Sequence, residues 1–136
     1  MTNKERRDAQ MPYIAEGEVV EDLILCRQRM DKLNATSHWD YPALIRAAQV
    51  LLQTEESPLL NPPFYCDYGT HIQVGKNFFC NYNCTLLDVG KITFGDNSLQ
   101  VGTILDQNGD AIILPNAVFT LADVGDPTSA LKRLHN

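Results

Sequence analysis

The chain is short of positive charge: 136 residues carry 11 Lys and Arg against 17 Asp and Glu, a formal net charge of −6. The deficit is evenly spread. Residues 1–60 hold 7 basic and 10 acidic side chains and residues 61–136 hold 4 and 7, so each part stands at −3. With no basic stripe, nucleic acid is not an expected partner, and an anionic membrane surface fits no better. Long apolar runs are also missing; nothing approaches the roughly 20 residues that span a bilayer. The opening segment, MTNKERRDAQ, is too polar for a secretory leader, so the expected setting is cytoplasmic and soluble. Histidine is limited to His38, His71 and His135, and Cys26, Cys66, Cys80 and Cys84 form no Cys-x-x-Cys pair. Cys80 and Cys84 are spaced as some zinc ligands are, but no second pair completes a tetrahedral set. No metal is expected, and the four are read as buried thiols.

What the chain does contain is a repeat. Ile72-Gln-Val-Gly-Lys-Asn77 recurs 20 residues later as Ile92-Thr-Phe-Gly-Asp-Asn97; one shift further, Ile112-Ile-Leu-Pro-Asn116 keeps the apolar-x-apolar core with Pro115 in place of the glycine. A fixed period of this length is the mark of a solenoid, in which each turn leans on its neighbours. Apolar residues at alternate positions face one side of a short strand, so Ile72, Val74, Ile92 and Phe94 are expected to point inward. The Gly-x-Asn that follows offers residues tolerant of a sharp turn with positive φ. Asn77 and Asn97 are expected to stack as equivalent positions one turn apart. These features together predict a β-helix, within the single domain that the length and the 44% hydrophobic content allow.

Before the repeat, two helices are expected. Residues 16–33 place Val20, Leu23, Ile24, Arg27, Met30 and Leu33 near one helical face. Residues 40–53 have Pro42 in the first turn, where its missing N–H costs nothing, and an apolar face of Leu44, Ala48, Leu51 and Leu52. Trp39 is read as a staple for this second helix, and His38 as solvated in a polar turn. The three prolines between Thr54 and Pro63 set up an extended entry to the first coil.

The motif Asp67-Tyr-Gly-x-x-Ile72-x-Val-Gly-x-Asn77-Phe-Phe-x-Asn81, with Leu87-Asp88 and Ile92-x-Phe-Gly-Asp-Asn97, resembles the maltose/galactoside O-acetyltransferases, a family of hexapeptide-repeat acyltransferases. The resemblance is close from about residue 63 to residue 97 and fades after Ser98. It implies a mainly β fold: a helical N-terminal segment, residues 1–60, then a left-handed parallel β-helix of two to three coils, residues 61–136, incomplete relative to the family. It implies acetyl-CoA as co-substrate, a sugar or similar hydroxyl acceptor, and a homotrimer. By position, Asp67 matches a polar residue facing the acceptor, Asn81 an asparagine near the reacting hydroxyl, and Asp88 a residue on the same face. For each, the plainer alternative is a turn residue bonding its own backbone. The aromatics Phe64, Tyr65, Tyr68, Phe78, Phe79 and Tyr82 fit a sugar platform, the core or, for Phe78, Phe79 and Tyr82, a subunit interface.

The family's general base is a histidine in a His-Pro-x-Asp type motif, suited to the task by its near-neutral pKa. Aligning Asp126-Pro127 with that motif puts Asp123 where the histidine belongs and Val124 where the proline belongs. No catalytic residue is therefore assigned. The flanks of His71 do not match the motif, and His135 is penultimate. Two readings follow: an acetyl-CoA-dependent O-acetyltransferase, or a non-catalytic β-helix protein, including a truncated, inactive relative.

Overall fold

The computed structural model describes residues 1–100 together with three short strands beyond them, 104–105, 111–112 and 118–120. The repeat becomes a stack of parallel strands. In chain order these are β1 (Leu59–Leu60), β2 (Phe64–Cys66), β3 (Ile72–Val74), β4 (Phe79–Cys80), β5 (Cys84–Leu86), β6 (Ile92–Phe94) and β7 (Ser98–Gln100). Each strand pairs in parallel with the strand 20 residues later: Leu59 with Phe79, Phe64 with Cys84, Ile72 with Ile92, and Phe79 with Leu99. Three strands therefore make one turn of the solenoid, each lying on a different wall.

Period-2 alternation fills the interior. In β2 and β5, Phe64, Cys66, Cys84 and Leu86 are buried, while Tyr65 and Thr85 face out. Ile72 and Phe94 are buried as expected, and Val74 and Ile92 pack half-buried against the same cluster. The corners turn on asparagine: Asn77, Asn83 and Asn97 all adopt φ of 59°. The side chain of Asn77 donates to Asn97 Oδ1 at 2.9 Å, so the two do stack one turn apart. Gly75 has another role than expected. It is not at positive φ; it is glycine because a Cβ there would run into Asp96 of the next turn.

Among the described residues the parallel pattern ends at β7. Strand β8 (Ile104–Leu105) pairs antiparallel with β9 (Ala111–Ile112), and β10 (Val118–Thr120) runs antiparallel along β7. Ile112 therefore pairs with Ile104 and does not continue the Ile72–Ile92 ladder. The Pro115 that replaces the turn glycine already marks that segment as a broken repeat.

Three helices close the lower end of the stack. Helix α1 (Asn3–Asp8) is capped by Thr2, whose Oγ accepts the Glu5 N–H at 3.1 Å while Glu5 accepts the Thr2 N–H at 3.3 Å. Sequence reading gave this segment no helix. Helix α2 (Glu18–Asn34) buries Val19, Cys26 and Leu33, with Met30 half-buried beside them. Of the expected face, Leu33 is buried and Val20, Leu23 and Met30 are half-buried, but Arg27 is exposed and Ile24 is 50% exposed. The inward stripe also carries Asp22, an acid that a count of apolar residues passes over. Helix α3 (Tyr41–Leu52) has the expected face of Leu44, Ala48, Leu51 and Leu52. Asp40 caps it by accepting the Ala43 N–H at 3.2 Å. Trp39 is 78% exposed and staples nothing.

The open edge of β2 would leave backbone groups unpaired under the helices. Asn34, at the end of α2, covers it: its Nδ2 donates to the Phe64 carbonyl at 3.0 Å and its Oδ1 accepts the Phe64 N–H at 2.9 Å. No helix among the described residues is long and apolar enough to cross a membrane.

Candidate functional site

The polar residues singled out in the sequence fall at two corners of the solenoid. Asp67 follows β2 and Asp88 follows β5, so the stacking of these strands brings them to one corner. Asn81 follows β4, at the other end of β5, a strand of three residues or roughly 10 Å. Within one chain, then, Asp67 and Asp88 converge and Asn81 stands apart.

Asp88 is fully buried. Its Oδ1 accepts the backbone N–H of Asp67 at 2.8 Å and of Tyr68 at 2.9 Å, and its Oδ2 has no protein partner among the described residues. It bonds not its own backbone but the turn below. Asp67 is half-buried on the wall of a cleft of about 420 Å³ between α2 and β2, with Arg27, Asp31, Tyr65 and Cys66. Burial, and then the charge of Asp88, push the Asp67 carboxyl above the usual carboxylate range, with Arg27 opposing. Asn81 is half-buried. Asp123 and His135 lie outside the described residues.

A second cleft, of about 550 Å³, opens on the other side of the Asp88 corner, between α1 and the loop after β5. His71, which the sequence did not mark, lines it with Arg7, Asp8, Gln10 and Lys91. His71 Nδ1 lies 2.8 Å from the Asp88 carbonyl oxygen and 3.0 Å from that of Val89, so this nitrogen carries a proton. Nε2 lies toward α1, 3.9 Å from Asp8 Oδ1. The ring packs on Tyr68, centroids 4.8 Å apart. Burial and the Tyr13 hydroxyl push the Tyr68 phenol up to about 12. Arg7 lies over the other contact surface of this corner, 4.5 Å from the Tyr68 ring centroid. It forms ion pairs with Asp8 at 2.9 Å and Asp22 at 3.0 Å. Burial works against its charge, but these hydrogen bonds outweigh burial and hold the guanidinium above its ordinary pKa. Nothing in the local sequence signals His71 or the burial of Arg7; Asp8 is the neighbour of Arg7, but its second acid, Asp22, is 15 residues away and the Asp88 carbonyl that meets His71 is 17 away.

The aromatic residues divide. Phe64, Tyr68 and Phe78 are buried in this chain, so Phe78 offers no surface to a second subunit, whereas Tyr65 and Tyr82 are exposed. His38 is exposed and stacks on Tyr82, centroids 5.7 Å apart. All four cysteines are free and buried, as expected. The clefts present hydrogen-bonding groups of both kinds on rigid corners, which suits small polar ligands.

No protein-family model matches the chain. Among curated proteins it is 33% identical over 101 residues to nodulation protein L of Rhizobium meliloti (strain 1021), a match covering 71% of this chain and 54% of that protein. It is 43% identical over 44 residues to the galactoside O-acetyltransferase of Escherichia coli (strain K12), covering 32% of this chain and 22% of the enzyme. The chain thus spans about half the length, or less, of these relatives. Among solved structures, a maltose O-acetyltransferase from Clostridium difficile 630 superposes with a TM-score of 0.69 at 26% identity, over 83% of this chain and 68% of that one. A galactoside acetyltransferase solved in complex with coenzyme A shares the fold, with a TM-score of 0.64 at 21% identity over 84% of this chain and 64% of that one. In its motif and in its fold, the chain is similar to the maltose/galactoside O-acetyltransferases.

Proposed function

We propose that this chain acts as an acetyl-CoA-dependent O-acetyltransferase on a sugar or similar hydroxyl acceptor. One observation carries the reading: the motif shared with the family coincides with the parallel 20-residue stack, and that stack gathers Asp67 and Asp88 at one corner. In this reading the stack is a left-handed β-helix of two to three coils over residues 61–136, preceded by the helical segment 1–60. The chain works in the cytoplasm as a homotrimer, with Phe79 and the exposed Tyr82 at the subunit contact. Sites between subunits would also account for the separation of Asn81 from the Asp67 corner.

Asp67 and Asn81 are assigned to the acceptor. Asp67 offers carboxylate oxygens to hydroxyl donors, and Asn81 offers both a donor and an acceptor. Asp88 acts behind them, holding the Asp67 backbone in place. Acetyl-CoA, when bound, supplies a thioester carbonyl open to attack by the acceptor hydroxyl. The acceptor must lose a proton in that step. A carboxylate at Asp123 is a weaker base at neutral pH than the histidine it replaces, unless burial raises its pKa.

That replacement is also the specific observation favouring a second reading, a non-catalytic member of the family serving as an interaction or structural protein. Coenzyme A thiol release, measured with acetyl-CoA and a panel of sugars, separates the two. The enzyme reading expects turnover above background that falls at least tenfold in Asn81→Ala. No turnover and no heat of acetyl-CoA binding by calorimetry would leave the non-catalytic reading.

A further inference from the structure

The four cysteines form two pairs in space, and one of the pairs reaches a cleft. Sγ of Cys26, on the inward stripe of α2, lies 3.5 Å from Sγ of Cys66 on β2, across 40 residues of chain. Cys26 Sγ is also 3.8 Å from the Cys66 carbonyl oxygen. Met30 Sδ accepts the Cys66 N–H at 3.2 Å, which fixes the Cys66 backbone against the same helix. Cys80 and Cys84 lie near enough to affect each other's ionisation, but neither lines either of the two clefts. Cys66 does line one, beside Asp67 and Arg27, while Cys26 sits behind it with 1% of its surface exposed. A small reagent entering the cleft meets Cys66 first and finds Cys26 already in contact with it.

We propose that Cys26 and Cys66 are a reversible dithiol–disulfide couple, oxidised by peroxides that enter the α2–β2 cleft, which joins α2 covalently to the first turn of the stack. A disulfide holds its sulfurs about 2.05 Å apart, so the pair must close by roughly 1.5 Å, a movement of the size a χ1 rotation makes. The chemistry balances in two steps. The Cys66 thiolate attacks one oxygen of the peroxide; the O–O bond breaks, Cys66 becomes a sulfenic acid, and hydroxide leaves. The Cys26 sulfur then attacks the sulfenic sulfur; the S–S bond forms, the S–O bond breaks, and a second hydroxide leaves. The two thiol protons convert both hydroxides to water.

The pair is arranged to ionise once. Either sulfur can be the donor in the S–H···S contact, so the S–H of one steadies the thiolate of the other. That bond eases the first ionisation of the pair and makes the second much harder; because either sulfur can hold the shared proton, the form that reacts carries the proton on Cys26 and the charge on Cys66, the sulfur at the cleft. Burial and the charges of Asp88 and Asp67 oppose ionisation, and Arg29 assists it at Cys26. The cross-link would restrict the unfolded chain over 40 residues. It would also draw in the cleft wall next to Asp67, so the shape of the cleft would follow the redox state.

The test is a peptide map. The full chain is treated with hydrogen peroxide, remaining thiols are alkylated under denaturing conditions, and the digest is read by mass spectrometry. The expected result is loss of two of the four thiols, a linked Cys26–Cys66 peptide two hydrogens lighter than its parts, and full reversal by dithiothreitol. The oxidised chain should also melt at a higher temperature than the reduced one. Cys26→Ser and Cys66→Ser should each abolish the link, and the double variant Cys80→Ser, Cys84→Ser should keep it. The wild-type map decides the matter even where a variant fails to fold. A Cys80–Cys84 link with Cys26 and Cys66 still free would overturn the proposal. So would four intact thiols in excess peroxide, or Cys66 carried to the sulfinic acid with Cys26 unreacted.

Discussion

Asp88 holds Tyr68 from one turn above, its Oδ1 accepting the Tyr68 backbone N–H at 2.9 Å. The same oxygen accepts the Asp67 N–H at 2.8 Å, so one buried carboxylate fixes the corner at which both clefts meet. Two amides that the parallel ladder does not reach depend on it. Asp88→Ala removes their acceptor and is expected to cost roughly 2–4 kcal/mol, while Asp88→Asn, which keeps an acceptor oxygen, should cost about half as much. Urea denaturation midpoints of the two variants check this; an Ala variant as stable as wild type would mean the corner is held by other bonds.

The raised Asp67 carboxyl carries a pH signature. Its pKa in the folded chain lies above its unfolded value, so between the two values the folded state binds more protons than the unfolded state. Stability from this group is therefore retained below the unfolded pKa and lost as pH rises through the folded one. Asp67→Asn removes the penalty. The variant should gain stability relative to wild type as pH rises from the ordinary carboxylate range to neutrality. Thermal melts of both proteins along a pH series give the sign; a variant that loses ground toward neutral pH would contradict it.

Gly69 sits at φ of +74°, under the end of α3, where an added Cβ would run into the Leu51 carbonyl oxygen. Gly69→Ala meets both an unfavourable φ and a backbone collision, and it is expected to destabilise the chain by roughly 2–4 kcal/mol. Gly90→Ala, with nothing within 4 Å of the new Cβ, is the control and should change the midpoint little.

Arg7 is nearly fully buried, between Asp8 and Asp22 and over the Tyr68 ring. Arg7→Met keeps much of the side-chain volume but strips both acids of their partner. Because those acids are partly solvated, the cost is put at roughly 1–3 kcal/mol rather than the full cost of an orphaned buried ion. The effect should be local. Amide exchange in α1 and around His71 should speed up first, while β5 and β6 keep their protection.

The sequence by itself determined what depends on near neighbours and on period. The 20-residue repeat placed Ile72 over Ile92, because identical turns stack in register whatever surrounds them. Asparagine at the corners announced the left-handed φ of Asn77 and Asn97, because few other side chains tolerate it. Proline and helical apolar spacing located α3 and its buried face. The Asp67 and Asp88 pairing was half legible: the repeat puts them near one corner, but nothing local says that Asp88 is buried and spends its oxygen on backbone amides.

Only the tertiary structure decided how the ends of the stack are closed. The covering face of α2 had to meet β2 and α1 together, which turned Cys26 and Asp22 inward and left Ile24 in solvent. Arg7, His71 and Asn34 matter through partners far along the chain, at separations that no helical or strand period encodes. The antiparallel pairing of Ile112 with Ile104 is of the same kind. A repeat predicts its own continuation, and only long-range pairing reveals where that continuation stops.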